Sequence, residues 1–344
     1  SHPGKRAVTV YSGATCRKIA RCEDPETEDI GSSQGLARLE DVTGDGVPEI
    51  IAGCPGHHAN GNFSGRGVAF SVNPAEGSCS WLYRLEDPEV NPQNRLGASA
   101  TDAGDVDGDG LHDIALGEPA DSADTDSGGC VVLFSGADGS FMGRLRDPEP
   151  GWRDEFGRSL ALLDDVDQDG VADLAVGAPY RETALQGDGG QVIVVSGYDG
   201  SVIARAEDTN GTTVHLGWSV ARAPDADGDG LSDIVAGAKA SQIDGLASAG
   251  RIVLLSSGTG EVLGRFDPSD PQAWSEFGSA VTALADAGGP GISAFVGGCG
   301  SFDGSAGTDA GRVEVFVQDS DCDGDGLSPW GDCDDADGEI WRVP

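Results

Sequence analysis

A nine-residue stretch, DVDGDGLHD from Asp105 to Asp113, constrains this chain more than any other. Its carboxylates stand at positions 1, 3, 5 and 9 and its glycines at 4 and 6. A hard cation such as Ca2+ takes six to eight oxygens at short range, and Asp at alternating positions of a tight loop supplies them. Glycine at position 6 lets the backbone turn over the ion, and position 7 offers a main-chain carbonyl. The stretch recurs as DVDQDGVAD (165–173) and DADGDGLSD (225–233), and more weakly as DVTGDGVPE (41–49). A fifth copy, DAGGPGISA (286–294), keeps of its carboxylates only Asp286. The period of about 60 residues marks a repeat architecture. The expected oxygen ligands are Asp41, Thr43, Asp45, Val47 and Glu49; Asp105, Asp107, Asp109, Leu111 and Asp113; Asp165, Asp167, Asp169, Val171 and Asp173; and Asp225, Asp227, Asp229, Leu231 and Asp233. About four Ca2+ ions are therefore expected in the repeats.

The formal net charge of −38 argues against nucleic acid and against an anionic membrane surface, both of which would repel the chain. No apolar run approaches membrane-spanning length, so no membrane insertion is expected. The start, SHPGKRAV, is not a signal peptide and reads as a mature or excised fragment. Eight cysteines point to disulfides and to an extracellular or cell-surface location. Sequons at Asn62 and Asn210 are short enough to arise by chance.

Each repeat holds four short apolar segments. In 156–208 these are FGRSLALL, then DLAVGAP after the Asp loop, then QVIVVSG, then SVIARAED. They are β-branched and bounded by Gly, Asp and Pro, as strands are. VIVV is apolar on both faces, so both faces of that strand are covered. The SG-x-x-G between the last two segments suits a hairpin turn. The fold class is therefore all-β: a β-propeller of four-stranded antiparallel blades, with repeats starting near 34, 95, 156, 216 and 277 and an N-terminal half-repeat.

FG-x-S, then D-x-D-x-D-G-x-x-D, then GAP together resemble the FG-GAP repeat, which builds the propeller of integrin α subunits. The resemblance covers about 4–317. Departures are Gln34-Gly35 and GCP in the first repeat, Leu96-Gly97 and GEP in the second, GAK in the fourth, and GCG in the fifth. It implies that the cation loops join strands one and two on a lower face. It also implies that the loops after strands two and four form an upper face that meets a protein or glycan ligand, or an integrin β-like partner.

Residues 8–25 match strands three and four of a blade, and the fifth repeat ends after GRVEVFV (311–317) with no fourth strand. The simplest closure lends the N-terminal strand to the fifth blade. Both 8–12 and 312–317 then claim its third strand, so one is an extra outer strand or the propeller is incomplete. Cys54 and Cys79 lie on one blade and are placed to pair. Cys16 aligns with Cys79 and Cys299 with Cys54, so a Cys16–Cys299 bond would staple the ring, against two unrelated thiols. Cys22 and Cys130 have no evident partner.

A second domain, 319–344, follows the propeller at 1–318. Asp321, Asp323, Asp325, Leu327 and Asp332 have EF-hand spacing, with Asp for the usual Glu. Cys322 and Cys333 bracket the loop, and Asp334, Asp335 and Asp337 are further candidate ligands for one or more Ca2+ ions. The segment resembles the Asp-rich repeats of bacterial surface proteins and, more loosely, thrombospondin type 3 repeats; a disordered acidic tail is the plainer alternative.

Nucleotide, zincin and nucleophile-elbow motifs are absent. His57 and His58, near Asn60 and Asn62, read as an exposed polar loop rather than a transition-metal site. Trp152 (EPGWRDEFG) and Trp274 (DPQAWSEFG) stand just ahead of FG dipeptides. Packing between blades is favoured for them over an exposed contact surface; Tyr180 and Arg181 are open between the same roles. The expectation is thus an extracellular, non-enzymatic, Ca2+-stabilised module of adhesion or partner recognition. A propeller accompanying a hydrolase such as a phospholipase, or a plain spacer of a large surface protein, are the alternatives.

Overall fold

The computed structural model describes residues 7–23, 35–57, 63–89, 93–122, 127–183, 187–209, 215–285, 293–303, 310–318 and 341–342. Among them every regular element is a strand, and no helix is long and apolar enough to cross a membrane. A hairpin of β1 (Val8–Tyr11) and β2 (Lys18–Cys22) comes first. Five four-stranded sheets follow, each a meander in which neighbours in sequence are neighbours in the sheet. The first holds β3 (Leu36–Leu39), β4 (Glu49–Gly53), β5 (Gly67–Asn73) and β6 (Ser78–Leu85). The second holds β7 (Ser99–Gly104), β8 (Asp113–Glu118), β9 (Cys130–Phe134) and β10 (Phe141–Leu145). The third holds β11 (Ser159–Leu162), β12 (Leu174–Ala178), β13 (Gln191–Val195) and β14 (Val202–Ala206). The fourth holds β15 (Leu216–Ala223), β16 (Asp233–Ala238), β17 (Arg251–Leu255) and β18 (Val262–Phe266). The fifth holds β19 (Ala280–Leu284), β20 (Ser293–Cys299), β21 (Arg312–Gln318) and β22 (Trp341–Arg342). These are the blades of a β-propeller. One compact unit comprises residues 1–162, 168–176 and 195–201, the other 163–167, 177–194 and 202–344.

Third strands such as β9 and β13 are buried along their whole length, whereas β10 is buried only at Leu145. That is why the run Val192–Val195 is apolar at every position: β13, like the second strands β8, β12 and β16, is covered on both faces.

The FG and GAP motifs are contacts between successive blades. In the first unit Gly65 bridges to Leu96 and Gly129 to Phe156; in the second Gly190 bridges to Leu216 and Gly250 to Phe277. The apolar residue of each FG pair is buried: Leu96, Phe156, Leu216 and Phe277. The following glycine adopts positive φ, +89° at Gly157 and +85° at Gly278. It lies against the GAP glycine of the blade before: a Cβ at Gly117 would stand 2.0 Å from the Gly157 carbonyl oxygen, and one at Gly237 1.8 Å from that of Gly278. The serine two residues after the FG glycine fastens the same seam, Ser99 Oγ donating to Gly157 O at 2.7 Å and Ser219 Oγ to Gly278 O at 2.8 Å.

Two expectations about the chain ends are overturned. The hairpin β1–β2 is a sheet of its own and lends no strand to the fifth blade, whose fourth strand is β22, paired through Val317 with Trp341 and Phe316 with Arg342. The hairpin stays with the first blade because its apolar residues Val8, Val10, Ala20 and Cys22 pack on Ala52, Val68, Phe70 and Val72. The cysteines follow from this placement. Cys22 and Cys79 form a disulfide, so neither Cys54–Cys79 nor Cys16–Cys299 exists. Cys16 is an exposed thiol; Cys54, Cys130 and Cys299 are buried thiols. The bond closes a loop with a sequence separation of 57. Replacing Cys22 and Cys79 by Ala is expected to lower stability by about 3–4 kcal/mol in denaturant titration, from the loop entropy restored to the unfolded chain.

Candidate metal centre

The four Asp loops lie between the first and second strands of blades one to four, and their own backbone organises them. In the second loop Asp105 Oδ1 accepts the Gly108 N–H at 2.8 Å and Oδ2 that of Gly110 at 3.0 Å. Asp225 does the same for Gly228 and Gly230, at 2.7 and 3.0 Å, and Asp41 for Gly44 and Gly46, at 2.8 and 2.7 Å. The residue at position 5 caps position 7: Asp45 Oδ1 accepts from Val47 N, Asp109 from Leu111 N, Asp169 from Val171 N and Asp229 from Leu231 N. Glycines at positions 4 and 6 take φ between +74° and +91° in these first, second and fourth loops, which their lack of a Cβ permits.

The last carboxylate of each loop is the most buried. Asp113 accepts Val106 N at 2.8 Å and, across the blade, Gly136 N at 3.0 Å. Asp173 accepts Gly197 N at 3.1 Å, and Asp233 accepts Ala226 N at 2.7 Å. In the first loop Glu49 stands there, accepting from Val42 N at 2.9 Å and Thr43 Oγ1 at 2.8 Å.

These arrangements gather three carboxylates each: Asp41, Asp45 and Glu49; Asp105, Asp107 and Asp113; Asp165, Asp167 and Asp173; Asp225, Asp227 and Asp229. In each group one oxygen per residue lies within 4.8 Å of the others. Two oxygens on one Ca2+ stand at most about 5 Å apart, twice the Ca–O distance, so the spacing fits. The donors are all hard oxygens, which suits Ca2+ rather than a thiophilic metal. Asp109, Asp169 and Asp233 fall outside these groups, while Thr43 donates to Glu49 within the first; Asp169 Oδ2 instead takes the Ser196 hydroxyl at 3.0 Å. Val47, Leu111, Val171 and Leu231 occupy the expected seventh positions. The loop at 321–332, with Asp321, Asp323, Asp325, Leu327 and Asp332, lies outside the described residues, as do Asn62, Asn210, His58 and Asp286.

Burial drives the Asp113 carboxyl above its ordinary range, with Asp107 adding to it. Burial, and then the charges of Asp227 and Asp229, push Asp233 up to about 7. A cation held by Asp225, Asp227 and Asp229 would offset the part of that cost that comes from Asp227 and Asp229. Without one, the folded state binds the Asp233 proton more tightly than the unfolded chain does. Stability in chelator should therefore fall as pH rises from about 4 to about 7, and be fully present only below that window. Asp233→Asn is expected to flatten the slope in chelator, and saturating Ca2+ to lessen the Asp233 contribution; a slope identical in the variant would refute the assignment.

Comparison with known proteins bears on what these blades are. A family model described as the FG-GAP repeat matches residues 156–195 and 216–255, the first three strands of the third and fourth blades with their Asp loops. The chain is a β-propeller that contains FG-GAP repeats. It is similar to integrin alpha-D of Homo sapiens, 32% identical over 188 residues, which is 52% of this chain and 15% of that protein. Integrin alpha-X of Homo sapiens is 34% identical over 188 residues, with the same coverage, and integrin alpha pat-2 of Caenorhabditis briggsae 29% identical over 219 residues, 58% of this chain and 17% of that one. The chain thus spans less than a fifth of the length of these relatives. Its fold is like that of the Dos1 propeller, with a TM-score of 0.51 at 15% identity, covering 90% of this chain and 62% of that one.

At the other end of the blades of this propeller, the loops ahead of Phe156-Gly157 and Phe277-Gly278 carry aromatic side chains. Trp152 is 63% exposed and Trp274 66%, which overturns the expectation that they pack between blades. The two loops take positive φ at the same places, on Arg153 and Glu155 and on Trp274 and Glu276, and the tryptophans stand one residue apart within them. Arg153 lies 4.7 Å over the Trp152 ring. Tyr180 instead joins His215 (4.7 Å) and Trp218 (6.3 Å), with Lys239 Nζ 3.3 Å from the Trp218 ring centre.

One side-chain cluster escaped sequence reasoning. Where GAP reads GEP, Glu118 is buried beside Asp121 and Cys130, its Oε2 3.4 Å from Cys130 Sγ. Burial, and then Asp87, push Glu118 up to about 8, and burial pushes the Cys130 thiol up. The departure from GAP and the unmatched Cys130 were the only traces of it in the sequence.

Proposed function

We propose that this chain is an extracellular recognition module, in which Ca2+ bound at the Asp loops stiffens the blades and the FG-side loops bind a protein or glycan partner. The observation that carries the reading is the exposure of Trp152 and Trp274. A large apolar ring held in solvent costs stability and suits a binding hot spot, and Trp274 is held there at positive φ. The similarity to integrin α subunits supports the same class, and an integrin β-like chain is the protein partner that similarity suggests. The reading assigns the chain no catalytic step. In this proposal Asp321, Asp323, Asp325, Leu327 and Asp332, which precede the fifth blade's last strand in the sequence, hold a further Ca2+; the division expected at 1–318 and 319–344 then gives way to a propeller that includes Trp341–Arg342.

The test is binding of the Ca2+-loaded chain to arrays of purified extracellular matrix proteins and glycans, repeated with Trp152→Ala, Trp274→Ala and the double variant. A hot-spot tryptophan is expected to cost about 2 kcal/mol or more, roughly thirtyfold in Kd. A partner bound equally well by the double variant would show that recognition lies on another surface.

A further inference from the structure

The second blade holds a group of side chains unlike the Asp loops. Glu118 ends β8, Asp121 follows it, and Cys130 opens β9; they are 2%, 3% and 0% exposed. One ligand atom from each lies within 4.8 Å of the others. We propose that Glu118, Asp121 and Cys130 bind one divalent transition-metal ion of the Zn2+ class, at a site separate from the Ca2+ loops.

Three observations carry this. The first is donor chemistry: a thiol beside two carboxylates favours a borderline-soft ion, whereas the Asp loops offer oxygen alone. The second is distance. Zn–S and Zn–O bonds of about 2.3 and 2.0 Å at a tetrahedral angle place sulfur and oxygen about 3.5 Å apart, and Cys130 Sγ and Glu118 Oε2 stand 3.4 Å apart. The third is a charge left over. Asp87, Glu118 and Asp121 are buried together, and the guanidiniums of Arg144 and Arg146 answer Asp87 Oδ1 and Asp121 Oδ2. Asp87 is 8% exposed, and its Oδ2 is buried with no hydrogen-bond partner. Asp87 is also the carboxylate that acts most strongly on Glu118. An unanswered carboxylate oxygen beside a buried carboxylate calls for a cation.

Arg146 and Asn94, donating to Asp121 at 2.8 and 3.3 Å, would orient that ligand from behind. On binding, the Cys130 S–H bond breaks, the thiolate gives its electron pair to the ion, and the proton passes to the buffer.

Co2+ is the probe, because a thiolate ligand gives it a near-ultraviolet charge-transfer band that carboxylates do not. The whole chain, with Ca2+ saturating the Asp loops, is titrated with Co2+ both as folded and during refolding. The expected result is a thiolate band saturating at one equivalent, bleached by Zn2+, absent in Cys130→Ser and retained in Cys54→Ser. Circular dichroism in Ca2+ confirms that each variant is folded. Asn94→Ala, which leaves the three ligands in place, is expected to keep the band and weaken binding by about tenfold. Absence of a band in the folded wild-type chain, or a band that survives Cys130→Ser, would overturn the proposal; should Cys130→Ser fail to fold, an unchanged Co2+ affinity in Glu118→Gln would do so.

Discussion

Saturating Ca2+ will raise the thermal unfolding midpoint of the chelator-treated chain by several degrees for each loop it fills, and Mg2+ at the same concentration will raise it less. An ion that binds only the folded chain adds RT ln(1 + [L]/Kd), about 2.7 kcal/mol per site at a hundredfold excess over Kd. For a chain of 344 residues, at about 2.1 cal/mol/K of unfolding entropy per residue, that is about 4 °C per site. Mg2+ demands tighter octahedral geometry and keeps its waters, which a wide three-carboxylate loop does not reward. The cleanest variants are Asp107→Asn and Asp227→Asn. Asp107 Oδ1 and Asp227 Oδ1 each accept one backbone N–H, from Asp109 and Asp229 at 3.0 and 3.1 Å, and an amide oxygen keeps that bond while losing the charge. Each variant should lose its loop's share of the Ca2+ gain and change little in EGTA. First-position variants are less clean, because Asp105 and Asp225 also hold two loop N–H groups each. Equal loss in Ca2+ and EGTA at Asp107→Asn would show that the residue does not act through the ion.

Gly117→Ala and Gly237→Ala will each cost about 3 kcal/mol, although each adds one methyl group. The added carbon meets backbone, the carbonyl oxygens of Gly157 and Gly278 at 2.0 and 1.8 Å, and backbone cannot rotate aside as a side chain does. The blades must part locally, and overpacking of this kind costs 1–3 kcal/mol and occasionally more. Parting them also lengthens the Ser219 Oγ to Gly278 O bond, and the Ser99 Oγ to Gly157 O bond at the other seam. Gly143→Ala is the control: it lies in β10, has ordinary φ, and its Cβ would meet nothing within 4 Å. Denaturant midpoints should fall for the first two and hold or rise slightly for the third. A neutral Gly117→Ala would mean that the seam is not the close backbone contact described here.

The repeat, the strands and the Asp loops were legible because they are local. Asp105 and Gly110 meet within a single turn, so their spacing alone sets which oxygen reaches which N–H. The apolar run of β13 likewise announces a strand covered on both faces. The use of the loop carboxylates was less legible: spacing treats Asp107 and Asp109 alike, yet Asp109 caps Leu111 N while Asp107 joins Asp105 and Asp113. Trp152 and Trp274 stand in similar stretches, and only the tertiary structure showed that both rings face solvent rather than a seam between blades.

The sequence by itself determined the blade and its cation loop, since those rest on contacts within a few residues and on a period that repeats. Only the tertiary structure decided which distant segments meet. It joined Cys22 to Cys79 rather than Cys54 to Cys79, took the fifth blade's last strand from Trp341–Arg342, and buried Glu118, Asp121 and Cys130 together beside Asp87. Each of these brings together residues whose sequence neighbours do not constrain them. Closing a long loop costs only slowly more entropy with length, so many pairings are nearly equal until packing chooses between them. The choice fell to the apolar face of β1–β2 on the first blade, to the open edge of β21, and to the FG–GAP seam that sets one blade against the next.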